Sequence, residues 1–328
     1  MKPFIKYPGG KIKEFPLVDK FKPKKIFRYF EPFVGGAAIY LNINVKKSYI
    51  NDKSTDLARL YMYIKNQDGD FFYYIKEIDR LWKEIEKDED IDFSLFDYEK
   101  FAEYSRRTII SKTKKFNLIE SAGHKISPKD KEESFITAKK TAFYMCVRDL
   151  YNDNSVDERL HVACFYFIRE YCYSSMFRFG KDGKFNVPYG GRSYNFKYLT
   201  AKIEQMQTDE IKRYFENTLI YNTDFQNFLE LFELNGEDFI FLDPPYDSDF
   251  STYDNNVFDK KEQIRLRDFL TNTKAKWMLI IKKTDFIYDL YKGFYIYEYG
   301  KNYLVSFKNR NNKSVRHLLI TNYFIGEE

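Results

Sequence analysis

An apolar run that ends in an acidic residue and two prolines constrains the fold more than any other feature. Residues 239–242 are all apolar, and Asp243-Pro244-Pro245-Tyr246 follows directly. Short apolar runs bounded by turn residues are typical of strands buried on both faces, as in a parallel sheet. Because open α/β sheets bind their ligands at the carboxyl ends of the strands, this position is a candidate site.

Other stretches extend this strand into a predicted sheet. The predicted strands are residues 26–30, 48–50, 219–221, 239–242 and 277–281, with a closing antiparallel pair at 295–299 and 316–323. The predicted helices between the strands are residues 37–41, 201–217 and 225–233. This alternation predicts an α/β fold with a largely parallel sheet.

The middle of the chain has a different pattern. From about residue 58 to residue 172 it is helical and charged, and four later glycines punctuate a predicted hairpin at residues 173–191. We therefore predict an α/β domain formed by residues 1–58 and 195–328, and an inserted, mostly helical domain formed by residues 59–194. A basic cluster in the insertion predicts salt-sensitive contacts with a polyanion. The cluster comprises Arg106, Arg107, Lys112, Lys114 and Lys115.

Composition argues against several kinds of protein. Three cysteines without CxxC spacing argue against a disulfide framework and a thiolate metal site, which indicates a cytoplasmic protein. The histidines lack metal-ligand spacing, so we expect no metal. No stretch approaches about 18 uncharged apolar residues, so we expect no membrane partner. The net charge of +5 does not by itself indicate a polyanion partner.

Asp243-Pro244-Pro245-Tyr246 supplies groups suited to an exocyclic aromatic amine. The Asp243 carboxylate and the Pro244 carbonyl can accept the two hydrogens of the amine, which localises the nitrogen lone pair and aims it at an electrophile. Each proline removes an N–H that would compete as a donor. Tyr246 can stack on the base, which is worth ~1–3 kcal/mol. A simple turn is the alternative, since Asp and Pro both favour turns.

A second motif, EPFVGG at residues 31–36, follows the first predicted strand. Gly35 and Gly36 would let the backbone approach a cofactor closely, although a Gly-Gly pair is often a simple connection. Asp52 ends the next strand, where a carboxylate can accept both hydroxyls of a ribose. The alternative for Asp52 is an N-cap of the helix that follows.

The order of these motifs resembles that of the Dam-type, α-group DNA N6-adenine methyltransferases. The resemblance implies a Rossmann-like S-adenosylmethionine-dependent methyltransferase sheet as the catalytic domain (residues 1–58 and 195–328) and a target-recognition domain (residues 59–194). It also implies S-adenosylmethionine as cofactor and double-stranded DNA as substrate, with a flipped-out adenine as methyl acceptor. The segments that carry it are Lys6-Tyr7-Pro8-Gly9-Gly10-Lys11, residues 31–36, Asn51-Asp52 and Asp243-Pro244-Pro245-Tyr246.

The resemblance assigns roles to individual residues. Glu31 is a candidate partner for the amino group of the cofactor, and Asp243 would serve both the cofactor and the catalytic pocket. The implied catalytic residues are Asp243, Pro244 and Tyr246. The implied cofactor-binding residues are Tyr7, Lys11, Glu31, Gly35, Asp52 and Asp243.

The predicted hairpin also resembles the DNA-contacting hairpin of that family, which implies DNA contacts from Tyr173, Arg178 and Asn186. Tyr173 would wedge into the base stack, and Arg178 would read guanine O6 and N7. A packed tyrosine and a phosphate-binding arginine are equally good interpretations.

Three other interpretations stay open at this point. Cytosine-N4 methylation is an equivalent amine reaction, for which relatives usually carry Ser at the position of Asp243. A DNA-binding relative without turnover, or a methylase of RNA or protein, would keep the same fold.

A cognate restriction endonuclease is a candidate partner of the protein. We expect a monomer rather than a dimer, and the sequence does not indicate which DNA sequence is the target.

Overall fold

The chain forms two compact units in the computed structural model, which describes residues 1–7, 9–86, 93, 95–245, 258–301 and 315–324. The first unit consists of Met1–Pro3, Gly9–Ala58 and Arg213–Glu328, and the second of Phe4–Pro8 and Arg59–Lys212. After residue 9, the chain changes unit after Ala58 and again after Lys212, whereas the predicted boundaries are residues 58 and 194. The assignment of catalysis and DNA recognition to the two parts stays a prediction.

The described residues contain eleven α-helices, most of them where the sequence pattern is helical. The predicted helix at 201–217 is two helices, because the chain turns at residues 207–208 and restarts with the Thr208 hydroxyl accepting from Ile211 N–H at 3.4 Å. The helices are α1 Phe15–Phe21, α2 Thr55–Asn66, α3 Gly69–Glu84, α4 Tyr98–Ser121, α5 Pro128–Tyr151, α6 Glu158–Tyr171, α7 Thr200–Met206, α8 Asp209–Glu216, α9 Phe225–Glu230, α10 Lys260–Asn272 and α11 Asp285–Tyr291.

The helix predicted at residues 37–41 is wrong. Gly35 (φ 47°) and Ala37 (φ 59°) both adopt the left-handed conformation, which breaks an α-helix before it can propagate. Only a short 3-10 helix, Tyr40–Asn42, follows.

The first unit is built on a sheet that has seven strands within the described ranges, in the order β3-β2-β1-β4-β5-β7-β6. The strands β1 to β5 pair in parallel, and β7 pairs antiparallel with both β5 and β6. The mixed α/β fold and the closing antiparallel pair are therefore confirmed. The strands are β1 Arg28–Glu31, β2 Ser48–Asn51, β3 Thr218–Tyr221, β4 Asp238–Leu242, β5 Lys276–Lys282, β6 Tyr295–Lys301 and β7 Val315–Thr321.

The strand order reverses at β1, which lies between β2 and β4. Connections therefore leave the carboxyl ends of neighbouring strands in opposite directions, and a crevice opens between them. Glu31 ends β1, Asp52 follows β2 and Asp243 follows β4. The topology brings these three carboxylates to one edge of the sheet.

Both faces of the central strands are buried, as continuous apolar runs require. Every residue of β4 is buried. Its residues Ile240 and Leu242 share one face and belong to a core that includes Leu266 of α10 and Phe228 of α9. Full burial of such a side chain contributes about 1.5–3 kcal/mol to the free energy of unfolding. The packing of β4 therefore stabilises the position at which the loop after it begins.

The second unit is mostly helical, and its core is aromatic. Trp82 of α3 packs against Phe167 of α6, with 5.3 Å between the ring centres. The indole N–H of Trp82 donates to the Lys197 carbonyl at 2.9 Å, and the Asp79 carboxylate accepts the Leu199 N–H at 2.7 Å. These bonds attach the segment before α7 to α3, which explains why this unit continues past residue 194.

The predicted hairpin at residues 173–191 pairs through two separate antiparallel bridges, Cys172 with Tyr189 and Phe179 with Phe185. Ser174 (φ 52°) and Ser175 (φ 54°) adopt the left-handed conformation, which interrupts regular strand pairing.

None of the helices in the described part of the chain has the length and apolar character that crossing a bilayer requires.

Candidate active site

A partly buried ion pair lies directly after β4. The ammonium Nζ of Lys11 is 2.6 Å from each carboxylate oxygen of Asp243 and donates to the Gly9 carbonyl at 2.8 Å. The Lys11 side chain is 3% exposed and that of Asp243 is 21% exposed. Gly9 has a φ of 76°, a conformation that glycine adopts without strain and that lets the turn direct Lys11 inward. The ammonium therefore holds the Asp243 carboxylate in one place.

The proline loop after Asp243 is held by a residue that the motif analysis did not find. Gln263 of α10 is fully buried, and its side-chain amide donates to the Pro245 carbonyl at 3.3 Å. Pro244 is buried, and neither proline has an N–H to offer. A polar residue at a core position of a helix is the signal that could have singled out Gln263.

Asp52 joins two loops of the site. Its Oδ2 accepts the Gly35 N–H at 2.9 Å, and its Oδ1 accepts the Ser54 N–H at 2.9 Å just before α2. The second bond is close to the N-cap arrangement that was the alternative for this residue. Burial raises the pKa of Asp52 to about 6 in spite of these two bonds. Burial of the carboxylate thus outweighs the two N–H donors in their effect on the pKa of Asp52.

Glu31 is the most deeply buried carboxylate at this edge of the sheet. It is 2% exposed and accepts hydrogen bonds from the Tyr29 hydroxyl at 2.5 Å and from the Tyr40 N–H. Burial raises its pKa well above the usual range, although the bond from Tyr29 lowers it. The negative charges of Asp243 and Asp52 raise the pKa of Glu31 further.

The charges at the three strand ends favour a cationic ligand. Within the described residues the cluster comprises Glu31, Asp52 and Asp243, and the ion pair of Lys11 is with Asp243. A bound positive charge would lower the cost of ionising each carboxylate. The arrangement therefore fits a ligand that carries an ammonium or a sulfonium group.

Two predicted site residues do not lie in the described part of the first unit. Tyr7 belongs to the second unit, where its ring lies 4.8 Å from the guanidinium of Arg169. Tyr246 falls outside the described residues, and its stacking on the base stays a prediction. Gly35 lies in the loop after β1 and contacts Asp52 as described above.

The three predicted DNA-binding residues all lie in the second unit and are exposed. Tyr173 is 44% exposed, beside the two serines in the left-handed conformation. The Arg178 Nε donates to the Asn186 Oδ1 at 3.2 Å across the hairpin. The structure thus brings Arg178 and Asn186 together, and their contact with DNA stays a prediction.

Comparison with known proteins gives consistent similarities over most of the chain. Residues 7–305 match the family model described as D12 class N6 adenine-specific DNA methyltransferase. The chain is 28% identical to Type II methyltransferase M.CviBI of Paramecium bursaria Chlorella virus NC1A, over 98% of this chain and 100% of that protein. It is 30% identical to Type II methyltransferase M.MjaIII of Methanocaldococcus jannaschii, over 98% and 99%. It is 24% identical to the DNA adenine methylase of Haemophilus influenzae, over 89% and 83%.

Proposed function

Since the chain belongs to the D12 class of N6 adenine-specific DNA methyltransferases, we propose that Asp243 and Pro244 hold the adenine N6 during methyl transfer. The observation that carries this proposal is the partly buried pair of Lys11 with Asp243 at the end of β4, beside a loop without N–H donors at two successive positions. The pair fixes an acceptor where a topological switch point places ligands.

The family implies S-adenosylmethionine as the methyl donor, and the charges at the strand ends fit it. Bound there, it supplies an electrophilic methyl group on a sulfonium. Glu31 would face its amino group, and Asp52 would accept its ribose hydroxyls while keeping the Gly35 loop in place. Lys11 would keep Asp243 oriented toward the methyl acceptor. The raised pKa of Glu31 supports this assignment, because a cation beside Glu31 would favour its ionised form.

The chemistry of the acceptor depends on two hydrogen-bond acceptors. A carboxylate has about four lone-pair sites, so the contacts of Lys11 leave Asp243 able to accept a hydrogen from N6. The Pro244 carbonyl would accept the second hydrogen, which turns the nitrogen lone pair toward the methyl group. As the N–C bond forms and the C–S bond breaks, N6 releases one proton, for which Asp243 is a suitable acceptor.

The acceptor base must leave the duplex to reach this site. Tyr246 would stack on the flipped adenine, and a base stacked on an aromatic ring gains ~1–3 kcal/mol, which offsets the cost of extrusion. Tyr173 would fill the gap left in the stack, and Arg178 with Asn186 would contact base edges. Since M.CviBI and M.MjaIII are named type II methyltransferases, a cognate restriction endonuclease is a candidate partner.

Transfer of labelled methyl groups from S-adenosylmethionine to unmethylated genomic DNA tests this proposal. We expect label in N6-methyladenine with the wild type and a loss of about 10²–10³-fold in kcat for Asp243→Asn and Asp243→Ala, the loss seen when one preorganised polar group is removed. Asp268→Ala is the matched control, because that carboxylate is 58% exposed on α10. Label in N4-methylcytosine, or full activity of the Asp243 variants, would contradict the proposal.

A further inference from the structure

Asn152, the residue that follows α5, is hydrogen-bonded to the hairpin through both ends of its side-chain amide. Its Oδ1 accepts the Phe185 N–H at 2.8 Å, and its Nδ2 donates to the Phe185 carbonyl at 3.0 Å. These are the two bonds that a residue of an antiparallel strand exchanges with its opposite residue. Since Phe185 is 1% exposed, losing them would take the partners from a donor and an acceptor of a buried residue, which is costly.

The hairpin itself leaves these two backbone groups of Phe185 on its outer edge. Across the turn, the Gly180 N–H donates to the Lys184 carbonyl at 2.7 Å, and the Asn186 N–H donates to the Arg178 carbonyl at 3.2 Å. The cross-strand bonds thus use the residues on either side of Phe185, which itself belongs to a non-hydrogen-bonded pair. In such a pair the backbone N–H and carbonyl point away from the opposite strand. The side-chain amide after α5 therefore takes the place of a third strand.

A side chain within α5 holds a second carbonyl on the same side of the hairpin. The hydroxyl of Tyr144, which is fully buried, donates to the Val187 carbonyl at 3.0 Å. Exposure alternates along this stretch, with Phe185 and Val187 buried and Asn186 exposed between them. Asn186 is therefore held between two residues whose backbones are bonded to α5 and to the residue after it.

The side chain of Asn186 connects this attachment to Arg178. Its Oδ1 accepts from the Arg178 Nε at 3.2 Å, and a Cβ at Gly180 would lie 3.2 Å from its Nδ2, so the glycine leaves room for the amide. With the amide oxygen turned toward Arg178, the pair offers N–H donors to a ligand. Phosphate oxygens accept such donors in any DNA sequence. The donors select a base only if the hairpin holds them against its edge.

We propose that Asn152 is a positioning residue that determines the base preference of the enzyme through the hairpin. The inference rests on the proposed function, in which Arg178 with Asn186 contacts base edges. Without the two bonds to Phe185, the hairpin loses its attachment to the end of α5, and the donors of Arg178 reach phosphates as readily as they reach a base. Discrimination between DNA sequences then falls, while methylation of adenine continues.

Methylation kinetics on matched duplexes test this inference. Sequencing of genomic DNA methylated by the wild type identifies its preferred site, and duplexes with that site or with one changed base pair then serve as substrates. The measured quantity is the ratio of kcat/KM between the preferred and the changed duplex. For the wild type we expect a ratio of ~5–150 for at least one changed base pair, the usual cost of a single mismatch.

The variants remove the two attachments separately. For Asn152→Leu, which keeps the branched shape of the side chain and can form neither bond, we expect the ratio to fall to about 2 or less. Tyr144→Phe removes one bond and keeps the ring, so it should lower the ratio by a smaller factor. Asn152→Gln keeps the donor and the acceptor of the amide and should retain a higher ratio than Asn152→Leu.

Asn154→Leu is the matched control, because it makes the same change at an exposed position two residues later. Thermal unfolding of each variant verifies that it is folded at the assay temperature. A purely structural role would lower kcat/KM equally on both duplexes, so an unchanged ratio in both Asn152→Leu and Tyr144→Phe would overturn the inference. A wild type that methylates adenine without preferring any site overturns this inference alone, whereas one that labels no adenine overturns the proposed function.

Discussion

At the level of single residues, burial gives Asp52 a charge that changes near neutral pH. Its pKa is raised to about 6, so the carboxylate is ionised above that pH and protonated below it. A protonated carboxyl group is a weaker acceptor for ribose hydroxyls than a carboxylate. The proposed role of Asp52 therefore depends on pH, although Asp52 has no direct part in the transfer of the methyl group.

We expect the affinity for S-adenosylhomocysteine to fall as the pH decreases through about 6. The reason is the protonation of Asp52, whose folded pKa lies above the ordinary value of about 3.9. Calorimetric titration between pH 5 and pH 7.5 measures the effect. Asp52→Asn should bind more weakly at pH 7.5 and should lack the step near pH 6. A step of the same size in this variant would assign the titration to another group.

At the level of secondary-structure elements, α10 and β4 together determine where the proline loop lies. The sheet fixes the start of the loop at Asp243, and Gln263 of α10 fixes the Pro245 carbonyl. The Gln263 Oε1 has no hydrogen-bond partner within the residues that the structure describes. A buried amide with one unpaired end is costly, which indicates that its position serves the loop and not the packing of the helix.

We expect Gln263→Leu to lower kcat by about tenfold with little change in the KM for DNA. The leucine fills the space but cannot donate to Pro245, so the acceptor loop loses its fixed position, and small misplacements of reacting groups have large effects on rate. Steady-state methylation kinetics with both substrates varied would measure this. Gln226→Leu, a change on the half-buried surface of α9, is the control. Equal losses in kcat and in thermal stability for both variants would indicate a purely structural role.

The sequence predicted those helices and strands that have a regular pattern of apolar residues. It missed features that depend on contacts between residues far apart in the chain. The strand β4 follows from an apolar run, and the closing pair β6 and β7 follows from segments rich in aromatic and branched apolar residues. The left-handed residues at Gly35 and Ala37 leave no trace in periodicity, so the helix predicted there does not form. Gln263 contacts a loop 18 residues earlier in the chain, and Arg169 contacts Tyr7 across 162 residues (169 − 7), which local patterns do not reveal.

At the scale of the whole molecule, the net charge of +5 is small, so DNA attraction depends on where the cations lie. The basic cluster in α4 lies on a helix with only two buried residues, and Lys114 and Lys115 are both exposed. These cations are available to phosphates of DNA.

We expect the double variant Lys114→Gln and Lys115→Gln to bind DNA more weakly and with a smaller dependence on salt. Each lost phosphate contact should reduce the slope of log K against log salt by about 0.9. Fluorescence anisotropy with a labelled duplex between 50 and 200 mM salt would measure the slopes. Lys24→Gln with Lys25→Gln removes the same charge from exposed positions of the first unit and serves as the control. Equal slopes for the wild type and both variants would exclude the α4 lysines from the DNA contact.

The division of the amino terminus between the two units has a consequence for engineering specificity. Met1–Pro3 belongs to the first unit, and the following residues belong to the second, where Phe4 and Ile5 are buried and the Tyr166 hydroxyl donates to the Phe4 carbonyl at 2.8 Å. A chimaera that exchanges residues 59–212 alone would thus pack a foreign helical core around these two native side chains. We expect functional chimaeras only when residues 4–8 come from the same parent, so that the second unit of this enzyme is inherited through two separate stretches of its gene.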